Sequence, residues 1–370
     1  MLGFFHVKAD IQLLQIIQPI GISFFTFQTL GYNIDVYKRK IKPEKDIVAF
    51  LNFTSFFPQI FAGPIERGDH LIPQFLTGRK FNYQLATDGV RQITYGLFKK
   101  MVIADRLAPK VNFAFMNYNA LSSLELLLGA MYFYIQIYCD FSGYSDIAIG
   151  TGKLLGFNLS TNFKTPFFAK TSREAWSRWN ITLTAWFRDY VYMPLLYKNR
   201  KSTIWRIFCT LLLLVLIGLW HGANFTFITF GFLNGLYFVP HILSKKNPAL
   251  KKLFKKLKNS RFWSAISIAF VFVVASVTTV FFRSPDIPSA LGYLNRMFQF
   301  EFILPTMVLL KVLPLLTLFF IWEWFQQENE YQFDIHHYSP WFKVPLYYIL
   351  LFMILITGLF IDPSFIYFNF

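Results

Sequence analysis

Hydrophobic positions in this chain come in long blocks divided by short, cation-rich breaks. Apolar stretches cover residues 11–30, 47–61, 83–104, 121–138, 207–220, 225–243, 262–282, 302–325 and 344–360. Several hold roughly 18 or more mostly apolar residues, enough to cross a hydrocarbon core about 30 Å thick. Others do not fit that description. Residues 47–61 run into Ala62-Gly63-Pro64-Ile65-Glu66-Arg67, where Gly-Pro stops a helix and leaves backbone groups needing partners, so a re-entrant or interfacial segment is expected. Residues 83–104 carry Lys99-Lys100 near their end and read as partly interfacial. The pattern predicts an all-α, polytopic membrane protein. It would form one membrane domain over residues 1–370, with about nine to eleven hydrophobic helices, some not crossing fully.

Between residues 172 and 222 the pattern becomes richer in polar and aromatic groups. Arg173-Glu174-Ala175-Trp176-Ser177-Arg178-Trp179-Asn180 leads on to Trp186-Phe187-Arg188-Asp189-Tyr190. Read as one helix, Trp176, Trp179, Leu183 and Trp186 share a stripe, and Asn180, Thr184 and Arg188 share another. Further on, Gly218-Leu219-Trp220-His221-Gly222 closes an aliphatic run that has no charge in the ten residues before His221. An ionisable group there is costly in lipid and marks a candidate functional site.

The flanking loops at 198–201 and 245–261 are strongly basic and therefore expected on the cytoplasmic side. The chain between them must enter the membrane and return. Residues 207–220 would rise roughly 21 Å as a helix, so 221–224 is expected at a bend within the bilayer or near its far surface. Non-helical backbone at that depth survives only against protein or a water-filled cavity. An imidazole titrating near pH 6.5 can act there as a general base. Asn180 could orient a substrate or donate to a developing oxyanion, or simply hold helices together.

Composition agrees with the membrane reading: 55% of residues are hydrophobic and only 15% charged, against about a quarter charged in a soluble protein. The net charge of +16 sits in short loops, and no nucleic-acid-binding signature accompanies it. Anionic lipid headgroups, not nucleic acid, are the expected partner. Cys139 and Cys209 lie in apolar segments without metal-ligand spacing. His6, His70 and His241 are expected near the surface, and His336-His337 alone make a poor metal site, so no metal is expected. Asp140 and Asp146 are six apart and share no helix face, which argues against a catalytic carboxylate pair and for structural hydrogen bonding. Arg188 and Asp189 are adjacent, point to different sides, and are expected to pair elsewhere. No nucleophile elbow, phosphate loop or dinucleotide fingerprint is present.

Taken together, Trp179-Asn180, Trp186-Phe187-Arg188-Asp189-Tyr190-Val191-Tyr192-Met193-Pro194 and Trp220-His221-Gly222 resemble the membrane-bound O-acyltransferase (MBOAT) family. The nearest branch is the bacterial one containing alginate O-acetyltransferase membrane components. Supporting strings are Gly21-Ile22-Ser23-Phe24-Phe25-Thr26-Phe27-Gln28, Phe61-Ala62-Gly63-Pro64-Ile65-Glu66-Arg67 and Asp140-Phe141-Ser142-Gly143-Tyr144-Ser145-Asp146, with Phe282-Arg283-Ser284 and Phe365-Ile366-Tyr367-Phe368-Asn369-Phe370. The resemblance implies a ring of helices around a central tunnel, with His221 as catalytic base and Asn180 at the second signature position. Trp176, Trp179, Arg188, Asp189, Asp140, Tyr144 and Asp146 are secondary candidates for lining that tunnel.

The implied reaction moves an acyl group, most simply acetyl, from a cytoplasmic thioester such as acetyl-CoA to a hydroxyl of an exported polysaccharide. It would run in the bacterial inner membrane, with a periplasmic or extracellular acetyltransfer partner protein. D-alanyl transfer to teichoic acid from a carrier protein is the alternative within the family. From the residues alone, a polysaccharide transporter using a buried polar tunnel is another. Relatives carry further N-terminal helices ahead of the Gly-Ile-Ser-Phe-Phe string, which here begins at Gly21, so the chain is expected to lack the family's first helices.

Overall fold

The computed structural model describes residues 21–358 apart from 245, 250, 253–259, 302, 306, 330–332, 336 and 337. His6, His336-His337, the terminal 365–370 string, the first half of the 11–30 stretch and most of the basic 245–261 segment therefore lie outside the described residues. Those that are described contain helices and no strands. In chain order the helices are α1 (Ile22–Tyr37), α2 (Ile47–Ser55), α3 (Gly68–Leu76), α4 (Tyr83–Leu97), α5 (Asp105–Met116), α6 (Ser123–Leu154), α7 (Ser172–Arg178) and α8 (Ile181–Phe187). They continue as α9 (Met193–Tyr197), α10 (Thr203–His221), α11 (Phe225–Ser244), α12 (Arg261–Arg283), α13 (Ile287–Met297), α14 (Met307–Leu310), α15 (Leu313–Gln326) and α16 (Pro340–Thr357).

Four of these, α10, α11, α12 and α16, are long and apolar enough to cross a membrane. The 302–325 stretch, expected as one span, is instead the four-residue α14 followed by the 14-residue α15. Pro314 explains the restart, because its missing N–H and fixed φ suit the first turn of a helix rather than its interior. α2 has nine residues, about 14 Å of rise, in keeping with a segment that does not cross.

The core is built on α6, whose 32 residues span about 48 Å. A reciprocal cap starts it, in which Ser122 Oγ accepts from Glu125 N–H and the Glu125 carboxylate accepts from Ser122 N–H. α4 runs antiparallel to α6 at backbone contact through two glycine pairs, Gly89 with Gly150 and Gly96 with Gly143. A Cβ on Gly96 would stand 2.5 Å from Gly143 O, and one on Gly150 would stand 2.5 Å from Gly89 O. The paired positions are seven apart on each helix, two turns, so both contacts fall on one face.

This closeness buries the lysines of the 83–104 stretch against protein. Lys99 is 0% exposed, in a π-helical segment (Phe98–Ala104) that joins α4 to α5. Its Nζ lies 2.5 Å from Asp146 and 2.9 Å from Ser142 Oγ, and Gln92 also donates to Asp146 at 2.9 Å. Lys100 pairs with Asp140 at 2.5 Å and Asp105 at 2.9 Å. Glu323, from the distant α15, is equally buried and accepts from the hydroxyls of Tyr95 at 2.7 Å and Tyr138 at 2.8 Å. Asp140 and Asp146 therefore hold lysines of the neighbouring element.

Removing one partner of a buried pair strands the other charge, at about 3–5 kcal/mol, whereas replacing both by apolar groups costs far less. Lys99→Met should accordingly lower the thermal midpoint of the detergent-solubilised protein, and the Lys99→Met/Asp146→Leu double variant should recover much of the loss, as read by size-exclusion after heating. Gly96→Leu should abolish the folded, monodisperse peak, because its side chain has no space beside Gly143.

Candidate functional site

His221 is the last residue of α10. That helix starts four residues earlier than the apolar stretch and rises about 28 Å over its 19 residues, against the 21 Å expected. It turns back into α11 through Gly222–Asn224, as the bend reading required. The two helices meet at backbone distance: a Cβ on Gly218 would lie 2.2 Å from Phe227 O, and one on Gly231 would lie 2.2 Å from Leu214 O. Small residues that let helix backbones touch are the usual means of close packing in lipid. The bend is staked further by Asn224, whose Oδ1 accepts from Thr226 N–H at 3.1 Å while its Nδ2 donates to Pro285 O at 2.8 Å. The imidazole sits between the Trp220 ring at 4.5 Å and the edge-on Phe282 ring at 4.8 Å.

Asn180 is reached differently. The single helix expected from the tryptophan spacing is broken into α7 and α8, with Asn180 between them in the left-handed region at φ 41°, ψ 57°. Asparagine tolerates this conformation better than most residues. An asparagine preceding a helix ordinarily caps it with its own side chain, but Asn180 makes no such bond. Asn162 takes that role instead. Its carbonyl accepts from Ile181 N–H at 2.9 Å, and its Oδ1 accepts from Thr182 N–H at 3.2 Å and Thr182 Oγ1 at 3.0 Å. The carboxamide of Asn180 is thereby released. The residue is 3% exposed and its Oδ1 has no hydrogen-bond partner among the described residues.

The Gly63–Arg67 string secures this arrangement from below. Ile65 N–H donates to Thr182 Oγ1 at 2.9 Å, and the wholly buried Glu66 carboxylate accepts from Ser160 and from His70. The hydrogen bond to Glu66 raises the His70 imidazole above its ordinary value.

His221 and Asn180 line one cavity of about 70 Å³ enclosed by α6, α7, α8, α10, α11 and α12. Polar side chains in its wall include Thr184, Asn234, Tyr237 and Thr279. That volume suits a few waters or a small acyl group. Trp176 and Trp179 also line it. Trp176 Nε1 donates to Asn234 Oδ1 at 3.1 Å, and Trp179 stacks on Tyr134 with centroids 5.5 Å apart. Trp186, expected on the same stripe, lies on the far side of the helix break and donates to Phe27 O at 2.8 Å.

Five secondary candidates are not brought to this cavity. Asp140 and Asp146 are held by lysines, and Tyr144 packs beside Phe61 at 5.8 Å. Arg188 and Asp189, expected to point apart, bond to each other through Nε at 2.7 Å and Nη2 at 3.2 Å, and Arg67 joins them at 3.1 Å. The chain opens there into a π-helical turn, Arg188–Tyr192, and the long guanidinium arm folds back onto its neighbour. Among the described residues no group of His, Cys, Asp or Glu side chains could hold a metal. Sequence reasoning missed Asn162, Asn234, Tyr237 and Thr279. Asn234 carried a usable signal as an amide inside an apolar span, whereas Asn162 lies in a loop and carried none.

The chain is similar in sequence to known proteins over most of its length. The chain is 35% identical over 288 residues to the probable alginate O-acetylase AlgI of Pseudomonas putida, covering 78% of this chain and 57% of that protein. It is 34% identical over 317 residues to the peptidoglycan O-acetyltransferase of Helicobacter pylori, covering 78% and 58%. To the teichoic acid D-alanyltransferase of Bacillus subtilis it is 27% identical over 270 residues, covering 70% and 66%. The chain thus spans a little over half the length of the O-acetylating relatives. The model of the membrane-bound O-acyltransferase family matches residues 44–284, a range that contains Asn162, Asn180 and His221, and the chain belongs to that family.

Proposed function

We propose that this protein transfers an acyl group, acetyl in the first instance, from a cytoplasmic thioester to a hydroxyl of an exported polysaccharide. Acetyl-CoA is the simplest donor, the bacterial inner membrane the expected location, and an external acetyltransfer protein the expected partner. The observation that carries the reading is that a carboxamide released from helix capping and an imidazole at a helix bend share one small, largely apolar cavity.

The His221 imidazole takes the acceptor hydroxyl proton as the oxygen attacks the thioester carbonyl. The Asn180 amide donates to the oxyanion that forms, in surroundings where a fixed donor is worth far more than in water. Collapse breaks the C–S bond, the thiolate takes the proton from the imidazolium, and an ester and a free thiol remain. No residue of the chain needs to carry the acyl group covalently. D-alanyl transfer from a carrier protein is the second reading. It is favoured less because the D-alanyltransferases are 27–29% identical to this chain, against 34–36% for the O-acetylating relatives.

Replacing His221 by Ala should reduce ester formation by about 10²–10⁴-fold while the protein still reaches the membrane. The readout is mass spectrometry of O-acyl esters on exported glycans, and undiminished esters would remove the imidazole from the mechanism. Asn180→Ala should lower kcat about 10²–10³-fold with a smaller change in KM, measured with labelled donor in proteoliposomes. A KM effect alone would mean that Asn180 binds substrate without stabilising the transition state.

A further inference from the structure

A second cavity lies at the far end of α6, about 24 Å along that helix from Ile137, the last α6 residue in the His221 cavity. It holds about 200 Å³ and is lined by residues 79–82, just before α4, by Leu85, and by residues 153–156, where α6 ends. Three cations, Arg79, Lys80 and Lys153, stand in its wall, and no carboxylate does. Among the described residues Arg79 and Lys80 join no salt bridge. Arg79 is nevertheless held firmly. Gly156 closes α6 in the left-handed region at φ 80°, and a Cβ there would stand 3.2 Å from Arg79 Cδ. Across this gap the guanidinium lies over the Phe157 ring, 4.2 Å from its centroid, and donates from Nη1 to Gln74 O at 2.6 Å. Gln74 is tied in turn to the backbone of Asn158, donating to its carbonyl at 3.0 Å and accepting from its N–H at 2.8 Å. A guanidinium has five N–H donors in a planar fork, so this one is pre-positioned with most of them unused, which suits a phosphate.

The surroundings narrow the kind of phosphate. α6 begins beside Arg296, just past the end of α12, where Arg296 Nε donates to Leu121 O at 3.0 Å. Its last turn therefore points to the side on which α12 begins, after the basic 245–261 segment, the side the positive-inside rule assigns to such loops. The 48 Å rise of α6 matches the roughly 40–45 Å of a bilayer with its headgroups, so the pocket falls at headgroup depth. Around it Phe81 is 80% and Tyr83 76% exposed, and Leu154 and Leu155 are open as well. A soluble phosphate ester would use the cations alone. An amphiphile uses the cations and the apolar rim together.

We propose that this pocket binds the phosphodiester headgroup of an anionic phospholipid from the adjacent leaflet. The phosphate sits on the Arg79 fork with Lys80 and Lys153 beside it, and the acyl chains leave along Phe81, Tyr83, Leu154 and Leu155. The site stands apart from the acyl-transfer reading and does not depend on it.

The test is native mass spectrometry of the purified full-length protein in neutral detergent, titrated with phosphatidylglycerol and with zwitterionic phosphatidylcholine. Phosphatidylglycerol should bind about tenfold more tightly or better. The Arg79→Ala/Lys80→Ala double variant should abolish that preference. Lys80→Ala should remove part of it while leaving the Arg79 contacts that hold the loop. Lys198→Ala/Lys201→Ala, which takes the same charge from another exposed basic loop, should keep it. Equal affinity of the wild type for the two lipids, or an undiminished preference in the Arg79→Ala/Lys80→Ala variant, would overturn the proposal. So would an equal loss in the Lys198→Ala/Lys201→Ala control, which would reduce the effect to overall charge. Glycerol 3-phosphate, a phosphate ester without chains, separates the two sources of phosphate. It should compete at least about tenfold more weakly than phosphatidylglycerol binds; competition at equal concentration would assign the pocket to a soluble ester and overturn the lipid assignment.

Discussion

The start of α8 is the point on which the site turns. Its first N–H groups are buried away from water, and a helix end so placed must find acceptors outside its own ladder. Asn162 supplies them from the loop before α7. Because that requirement is met by a distant residue, Asn180 is relieved of the capping role its position would normally impose. Its backbone can then turn left-handed, and its carboxamide belongs to the cavity. Ile65 and Glu66 hold the same junction through Thr182 and Ser160, so the Gly63–Arg67 string and the tryptophan segment act as one structural unit.

Close backbone packing does for the imidazole what hydrogen bonding does for the carboxamide. α10 and α11 meet through Gly218 and Gly231 without room for a β-carbon. In a hydrocarbon environment apolar side chains gain little by leaving lipid, so contact of this kind, with its dispersion and polar interactions, carries helix association. It also makes the bend stiff. His221, as the final residue of α10, inherits its position from that contact and from the Asn224 link to Pro285. A site assembled from two rigid junctions can keep a small cavity open between large aromatic rings.

The second polar cluster, around Lys99, Asp146 and Glu323, is set apart from the cavity, although α6 serves both. Tyr134 faces Trp179 in the cavity, while one turn on Tyr138 donates to Glu323. A buried network of this size constrains how α4, α6 and α15 can be arranged, since a displaced charge has no water to turn to. Among the described residues, Lys99, Lys100, Asp140, Asp146 and Glu323 are thus engaged between helices.

By itself the amino-acid sequence determined the membrane class, the approximate course of α10, α11 and α12, the bend at His221 and the family strings. Each of these follows from local hydrophobicity, from glycine and proline punctuation, or from a short motif. What only the tertiary structure decided depends on partners far away in the chain. The tryptophan stripe predicted one helix, and a residue eighteen positions earlier broke it. Lys99 is buried because Asp146, across a glycine-lined contact, supplies its counter-charge. Arg188 and Asp189 were expected to part because helical spacing separates neighbours, and a π-helical turn brought their side chains together. Periodicity records which residues could share a face; which buried polar group meets which partner is settled by long-range packing, which paired Asp140 and Asp146 with lysines of the neighbouring element.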